Sequence, residues 1–305
     1  MIDAATFERE RPWLVGVAWR MLGSAADAED VVQEAWLRAA DVDEPIASPR
    51  AWLTRVVTRL CVDEARSARR RREGYVGEWL PEPEATDAPA GDERAIEAES
   101  VSIAFLTMLE SLSAAERAAF VLHEVFDLTM PEVAEALGRS DVACRQLLHR
   151  ARERLADRRP RRGRPSRAQS ESAVVALLAA LSAGDFEALQ ALLLDGARTV
   201  TDHGGKARAA RRTVSGAAHV ARFLLGLTAK HARAGGDARL AWVNGAPAVL
   251  ALEGGRVTSV IVPDLVGDGD GVRVADLYVV RNPDKLARVD RALREGTLRA
   301  VSLAG

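Results

Sequence analysis

Arg145, Gln146, His149, Arg150 and Arg152 crowd into the stretch DVACRQLLHRARERL, and these side chains could read a nucleic acid. Arginine and glutamine make bidentate hydrogen bonds to base edges, and further arginines hold phosphates. Cys144, Leu147, Leu148, Ala151 and Leu155 recur between them at helical spacing, so one side of such a helix is anchored and the other is free to enter a groove. Other reactive groups are sparse. Asp202, His203 and His219 could serve acid/base work if they converged in a pocket. Cys61 and Cys144 are isolated, form no CxxC pair and are expected on buried helix faces, so neither a metal site nor a cofactor is expected.

The element that must position the first group is a helical hairpin. Thr129 can cap a short helix, Pro131 fits its first turn, and Glu132 stands where a capping box needs it. Val133, Ala134 and Leu137 give that helix a buried side, Gly138 ends it, and a second helix is expected from Ser140. This is a helix-turn-helix pattern. A basic, solvated amphipathic helix in an ordinary helical hairpin fits the same residues, so the rest of the chain must discriminate.

The chain has 305 residues, 48% hydrophobic and 28% charged, which is ordinary globular material for two or three domains. Its net charge of −2 excludes uniform attraction to nucleic acid, but the arginines are clustered. The start MIDAATFERERPW has no apolar signal core, and no run approaches the ~18–20 apolar residues of a membrane span. A cytoplasmic protein without a membrane partner is expected.

In order, the chain begins with a helix from about Thr6 to Leu22 that buries Phe7, Leu14, Val17, Ala18 and Met21. A second helix carries Val31, Val32, Ala35, Trp36 and Ala39 on one side and Asp27, Glu29, Asp30, Gln33 and Glu34 on the other. A loop stiffened by Pro45 and Pro49 leads to a long helix with Trp52, Leu53, Val56, Leu60, Cys61 and Ala65 expected on its core side. Arg55, Arg59, Asp63, Arg66 and the run Arg69 to Arg72 project elsewhere. Residues 74–98 read as a linker, in which Trp79 to Pro83 (WLPEP) form a stiff apolar hook.

The succession DAEDVVQEAWLRA, PRAWLTRVVTRLCVDEARSARRRR and a helix-turn-helix ending LLHRARERL resembles the extracytoplasmic-function sigma factors of bacterial RNA polymerase. The resemblance implies region 2 over 1–73 and region 4 over 99–158, both all-α. It further implies docking of Asp27, Asp30, Gln33 and Glu34 on the β′ clamp helices of core RNA polymerase, with the β flap as a second contact. Pro45, Ser48, Arg50, Arg55, Arg59, Asp63 and Arg66 would capture the opened minus-10 strand. Leu60 stands where many members carry Asn. Ser140, Arg145, Gln146, His149, Arg150 and Arg152 would contact minus-35 promoter DNA.

A basic tether over 159–169 precedes a second globular unit, 170–305. Its pattern is a helix SAVVALLAALSAGDFEALQALL, a strand ARTVTD, a helix SGAAHVARFLLGLTAKH, then strand-like runs around Arg239 to Val243, Pro247 to Leu252, Arg256 to Ile261 and Val272 to Val280. This α+β order resembles the SnoaL-like, NTF2-like cone. The whole is similar to the sigma-factor subgroup with such a domain fused at its C-terminus, marked by WLPEP, DGGGK and NPDKL motifs. Here they read Trp79, Leu80, Pro81, Glu82, Pro83; Asp202, His203, Gly204, Gly205, Lys206; and Asn282, Pro283, Asp284, Lys285, Leu286. His203 replaces a glycine and is expected to narrow the backbone options of its turn.

NPDKL also reads as a plain helix start, with Asn282 as cap and Pro283 at the first helical position. The reading adopted is a non-catalytic promoter-specificity subunit whose cone regulates it through these motifs. The alternative is a small-molecule-binding or catalytic cone coupled to transcription control, which leaves a ligand of that domain open.

Overall fold

Most helices begin at a side chain that accepts from the first turn. Asp3 caps α1 (Ala4–Leu22), Ser24 caps α2 (Ala25–Ala40), and Ser113 and Thr129 build capping boxes on α5 (Ala114–Phe120) and α6 (Met130–Leu137). The computed structural model describes residues 2–42, 44–87, 101–156, 165–210, 212–269 and 271–302, without the side chains of 70–72, 268 and 302. The side chains of Arg70 to Arg72, most of the tether and the end of the linker thus lie outside what is described. The chain divides into two compact units, Met1–Gly74 with Leu106–Arg159, and Tyr75–Phe105 with Pro160–Gly305.

The first unit is helical. In it α1 and α2 pack with α3 (Pro49–Arg72), and α3 also packs on α5 and α6. Its other helices are α4 (Ile103–Leu109), which contributes Leu106 and Leu109 to this unit, and α7 (Asp141–Ala156). Phe7, Leu14, Val17, Ala18 and Met21 are buried as expected. The long helix differs from expectation. Leu53, Val57 and Cys61 are fully buried with Thr58, whereas Trp52, Val56, Leu60 and Ala65 are half-buried. Two stripes at the same spacing compete there, and the one containing the small polar Thr58 went inward.

Helix α5 widens after Phe120 into a π-helical turn, Val121–Val125, closed by Phe126 N donating to Val121 O at 3.2 Å. Trp13 meets Phe126 edge-on at 4.6 Å between ring centroids, which joins α1 to that turn. The next helices follow the expected hairpin. Gly138 ends α6 with φ +62, and Ser140 Oγ accepts from Ala143 N at 3.3 Å, so Ser140 is the cap and not the first residue of α7. Leu137 is half-buried, and Ala136 takes the inner position.

The second unit is a seven-stranded sheet ordered β2-β1-β6-β5-β4-β3-β7. The strands are β1 (Leu193–Asp202), β2 (Val214–Ser215), β3 (Asp237–Val243), β4 (Ala246–Glu253), β5 (Arg256–Asp268), β6 (Gly271–Val280) and β7 (Ala300–Ser302). Only the β1–β6 pairing is parallel. The expected single helix before β1 is two, α8 (Arg167–Ala183) and α9 (Phe186–Leu192), because Gly184 turns left-handed at φ +69 and Asp185 caps a new start. Leu193 passes to the sheet.

Alternation splits the core between the two faces of the sheet. Leu277, Leu193 and Ala197 face α8, α9 and α10 (Ala217–Arg233). Tyr278, Val280, Val260, Val262, Leu250 and Leu252 face the other way, onto Leu286 and Val289 of α11 (Pro283–Arg294). Leu80 of the linker and Ile103, the first residue of α4, complete that second core. This is the α+β cone expected of the C-terminal half.

Candidate nucleic-acid interface and linker-binding site

Helix α7 presents its sides as its sequence divides them. Cys144, Leu147, Leu148, Ala151 and Leu155 are buried, and burial pushes the Cys144 thiol up, as it does the Cys61 thiol. Both cysteines are core groups. On the open side Val142, Arg145, Gln146 and His149 line a shallow depression together with Asp141. Arg145 makes an exposed one-turn ion pair with Asp141 at 3.5 Å, and His149 Nε2 lies 3.3 Å from the Glu153 carboxylate one turn on.

The remaining arginines of this helix are engaged inside the unit. Arg150 and Arg154 converge on the Glu116 carboxylate at 3.1 and 2.7 Å, and Arg152 pairs with Glu124. The Glu116 side chain is only 4% exposed and also accepts from Ser113 N and Oγ at 3.0 and 2.8 Å. Burial, the largest single influence, pushes this carboxyl up, but Ser113 and the two guanidiniums outweigh it and hold it below its ordinary range. The structure therefore separates Arg145, Gln146 and His149, which face open space, from Arg150 and Arg152, which brace α7 against α5 and its π turn.

On α3 and its approach, Pro45, Ser48, Arg59, Asp63 and Arg66 are exposed. Arg50 pairs with Glu10 at 2.6 Å and lies over the Trp13 ring. Arg66 pairs with Asp63 at 3.6 Å, and Arg55 lies 3.7 Å from Glu135 of α6. A Cβ at Gly138 would stand 2.8 Å from Arg59 Nη2, which places that guanidinium against the turn. Arg55 and Arg59 thus border the helix-turn-helix within one unit. On α2, Asp30 and Gln33 are exposed, Asp27 and Glu34 are half-buried, and Glu34 pairs with Arg38 at 2.9 Å.

In the second unit the three motifs meet at one carboxylate. Asp202 is 0% exposed and accepts from Tyr75 Oη at 2.5 Å, from Leu80 N at 2.9 Å and from Lys285 Nζ at 2.7 Å. Lys285 also donates to Leu80 O and sits 4.0 Å from the centroid of the Trp79 ring. Burial and the neighbouring Asp202 raise the Tyr75 hydroxyl above its ordinary range, so it stays a donor. Asn282 caps α11 by accepting from Asp284 N at 3.2 Å and donates to Tyr75 Oη at 2.9 Å. Lys206 pairs with Asp284, and Leu286 lies in the core with Leu80. Pro81 and Pro83 are buried, and Glu82 is half-buried with its carbonyl against Asn244 Nδ2.

The turn at His203 corrects one expectation. Its left-handed positions are Gly204 at φ +55 and Gly205 at φ +72, and His203 is not among the residues with positive φ. The histidine therefore costs the turn no backbone freedom. Its Nδ1 accepts from Gly205 N at 3.1 Å, and its ring covers Gly77 so closely that a Cβ there would meet Nε2 at 2.6 Å. The acid/base alternative loses its constellation, because Asp202 is occupied by the linker and Lys285 while His219 is exposed on α10.

Several contributors were not anticipated. Asn244 and Gly245, at φ +50 and +67, form the tight turn between β3 and β4. Asn244 is 0% exposed and holds Glu84 N at 2.8 Å, Glu84 O at 2.9 Å and Val101 O at 3.1 Å. Arg288 grips the Glu84 carboxylate at 2.8 and 3.2 Å. An Asn–Gly pair is a hairpin signal in general, but nothing local to it points to its hold on a segment some 160 residues away.

Family models for Sigma-70 region 2 and Sigma-70 region 4 match residues 6–71 and 102–155. The chain is 42% identical over 294 residues to the ECF RNA polymerase sigma factor SigJ of Mycobacterium tuberculosis, covering 93% of both chains. It is 36% identical over 197 residues to the probable ECF sigma factor SigI of the same species, covering 62% of this chain and 66% of that one. Its fold is similar to the crystal structure of M. tuberculosis SigJ, with a TM-score of 0.74, 37% identity, and coverage of 94% of this chain and 99% of that one. With two sigma regions in order and a relative matched along nearly its whole length, the chain belongs to the extracytoplasmic-function sigma factors of RNA polymerase.

Proposed function

We propose that this sigma factor reads the minus-35 element with α7 and captures the opened minus-10 strand with α3 and the loop before it, while its C-terminal domain governs the output by holding the linker. Arg145, Gln146 and His149 supply base and phosphate contacts, and Ser140 lies at the helix start where a phosphate is favoured. Pro45, Ser48, Arg50, Arg55, Arg59, Asp63 and Arg66 supply the strand-binding surface. Asp27, Asp30, Gln33 and Glu34 dock on the β′ clamp helices, and the helix-turn-helix domain meets the β flap. Arg55 must leave Glu135 for this, a small cost for an exposed pair of about 0–1 kcal/mol.

The observation that carries the regulatory part is the buried Asp202 carboxylate, which binds linker residues Tyr75 and Leu80 together with Lys285. A linker fixed in this way constrains how far the two DNA readers separate. Among the described residues no helix is long and apolar enough to cross a membrane.

Run-off transcription with core polymerase tests this directly. The full chain, a chain ending at Ala168 and Asp202→Ala are compared over a promoter library. Truncation and Asp202→Ala should change output while promoter preference persists; identical output from all three would refute regulation by the cone. Replacing Arg145 and Gln146 should shift promoter choice with polymerase binding intact.

A further inference from the structure

Val142 is the most exposed large apolar side chain among the described residues, at 66%, and it lies on the second residue of α7. A β-branched residue is a modest helix former, and an isopropyl group left in water contributes nothing to the fold. Exposure of a single apolar residue is ordinary at a surface, and Val301 is nearly as exposed at 64%, so the case for Val142 rests on what surrounds it. Its neighbours define the setting. Val142, Arg145, Gln146 and His149 stand at i, i+3, i+4 and i+7, one stripe along α7, and they line the same open depression.

That stripe holds three kinds of base-reading chemistry. An arginine fork matches guanine O6 and N7, a glutamine amide matches adenine N6 and N7, and a small apolar group matches the C5-methyl of thymine. The N-terminal part of a recognition helix is the part that reaches base edges, which places residue 142 deepest. Arg150 and Arg154, on another side of the helix, are held by Glu116, and Arg152, one turn beyond His149, is held by Glu124.

We infer that Val142 is a specificity-determining residue that packs on a thymine methyl in the major groove, next to the base pair read by Arg145. This rests on the minus-35 role of α7 and deepens it. The carrier of specificity is the methyl group itself, so uracil at that base should be discriminated from thymine although its hydrogen-bonding edge is identical.

The test uses the full-length chain with core RNA polymerase. A promoter is first selected from a library randomised over the minus-35 element, and each thymine is then replaced singly by deoxyuridine. With the natural chain, one position should lose about fourfold in transcription, the worth of one buried methyl-sized group. With Val142→Ala the same replacement should have no effect, whereas Arg145→Ala should leave the methyl effect in place. A flat deoxyuridine scan, or an undiminished effect in Val142→Ala, overturns the assignment of Val142 alone. A library that yields no minus-35 preference at all overturns the minus-35 role of α7 together with it.

Discussion

Lys285 Nζ lies 2.7 Å from Asp202 Oδ2, and the two side chains are 8% and 0% exposed. Removing one partner of such a pair leaves a buried charge without compensation, which costs about 3–5 kcal/mol. Lys285→Met should therefore lower the unfolding free energy of the C-terminal unit, read from urea titration, by that order. Combining it with Asp202→Asn removes the orphaned charge and keeps an acceptor for Leu80 N, so the double variant should be more stable than Lys285→Met alone. A double variant that is no better would show that the lysine acts through Leu80 O and the Trp79 ring and not through its pairing with Asp202.

Gly204 is the position where the linker can be loosened most specifically. At φ +55 an alanine is strained by about 1–2 kcal/mol, and its Cβ would stand 2.5 Å from Asn282 Nδ2 and 3.0 Å from Tyr75 Oη. Gly254, at φ +58 with nothing within 4 Å, is the matched control that takes the backbone strain without the contact. Gly204→Ala should speed proteolytic cleavage within Tyr75 to Asp87, and Gly254→Ala should not. Equal cleavage in both would mean that the motif contact does not hold the linker.

How much of this was legible depends on the range of the interaction. Thr129, Glu132, Pro131 and Gly138 wrote the first helix of the hairpin locally, and Asn282 and Pro283 wrote the start of α11, because capping involves residues only a few places apart. The WLPEP, DHGGK and NPDKL segments stood out as motifs. Their meeting at Asp202 did not follow from any one of them, and Tyr75 and Asn244 joined the site only through contacts more than a hundred residues long. In α3 the stripes through Val56 and Val57 share one spacing, so periodicity alone could not choose the buried one. Val142 was passed over for a different reason: it belongs neither to the buried stripe nor to the polar groups of α7, and only its 66% exposure beside Arg145 and Gln146 draws attention to it.

Glu116 gives the helix-turn-helix an acid-sensitive brace. Its carboxyl is held below the ordinary value of 4.5, so its stabilising contribution is fully present above that value and is lost as pH falls through the depressed one. Thermal midpoints measured between about pH 5 and pH 3 should fall more steeply for the natural chain than for Glu116→Gln, which has no proton to take up. Parallel slopes would place the acid sensitivity elsewhere in the unit.

Arg117 is 6% exposed and spans three partners: Leu109 O at 3.1 Å, Met21 O at 2.9 Å and Glu110 Oε1 at 2.8 Å. Met21 O belongs to the last turn of α1, whose carbonyls have no partner within their own helix, so Arg117 caps α1 from the middle of α5. If this capping dominates, Arg117→Met should destabilise the helical unit by about 3 kcal/mol, and Glu110→Gln, which leaves both carbonyl bonds intact, by less than about 1 kcal/mol. Arg117→Lys should fall between them, because one ammonium lacks the planar fork that reaches both carbonyls. Urea titration of the three variants decides the matter. Equal losses in Arg117→Met and Glu110→Gln would make the ion pair the source of stability and leave α1 joined to α5 by packing alone.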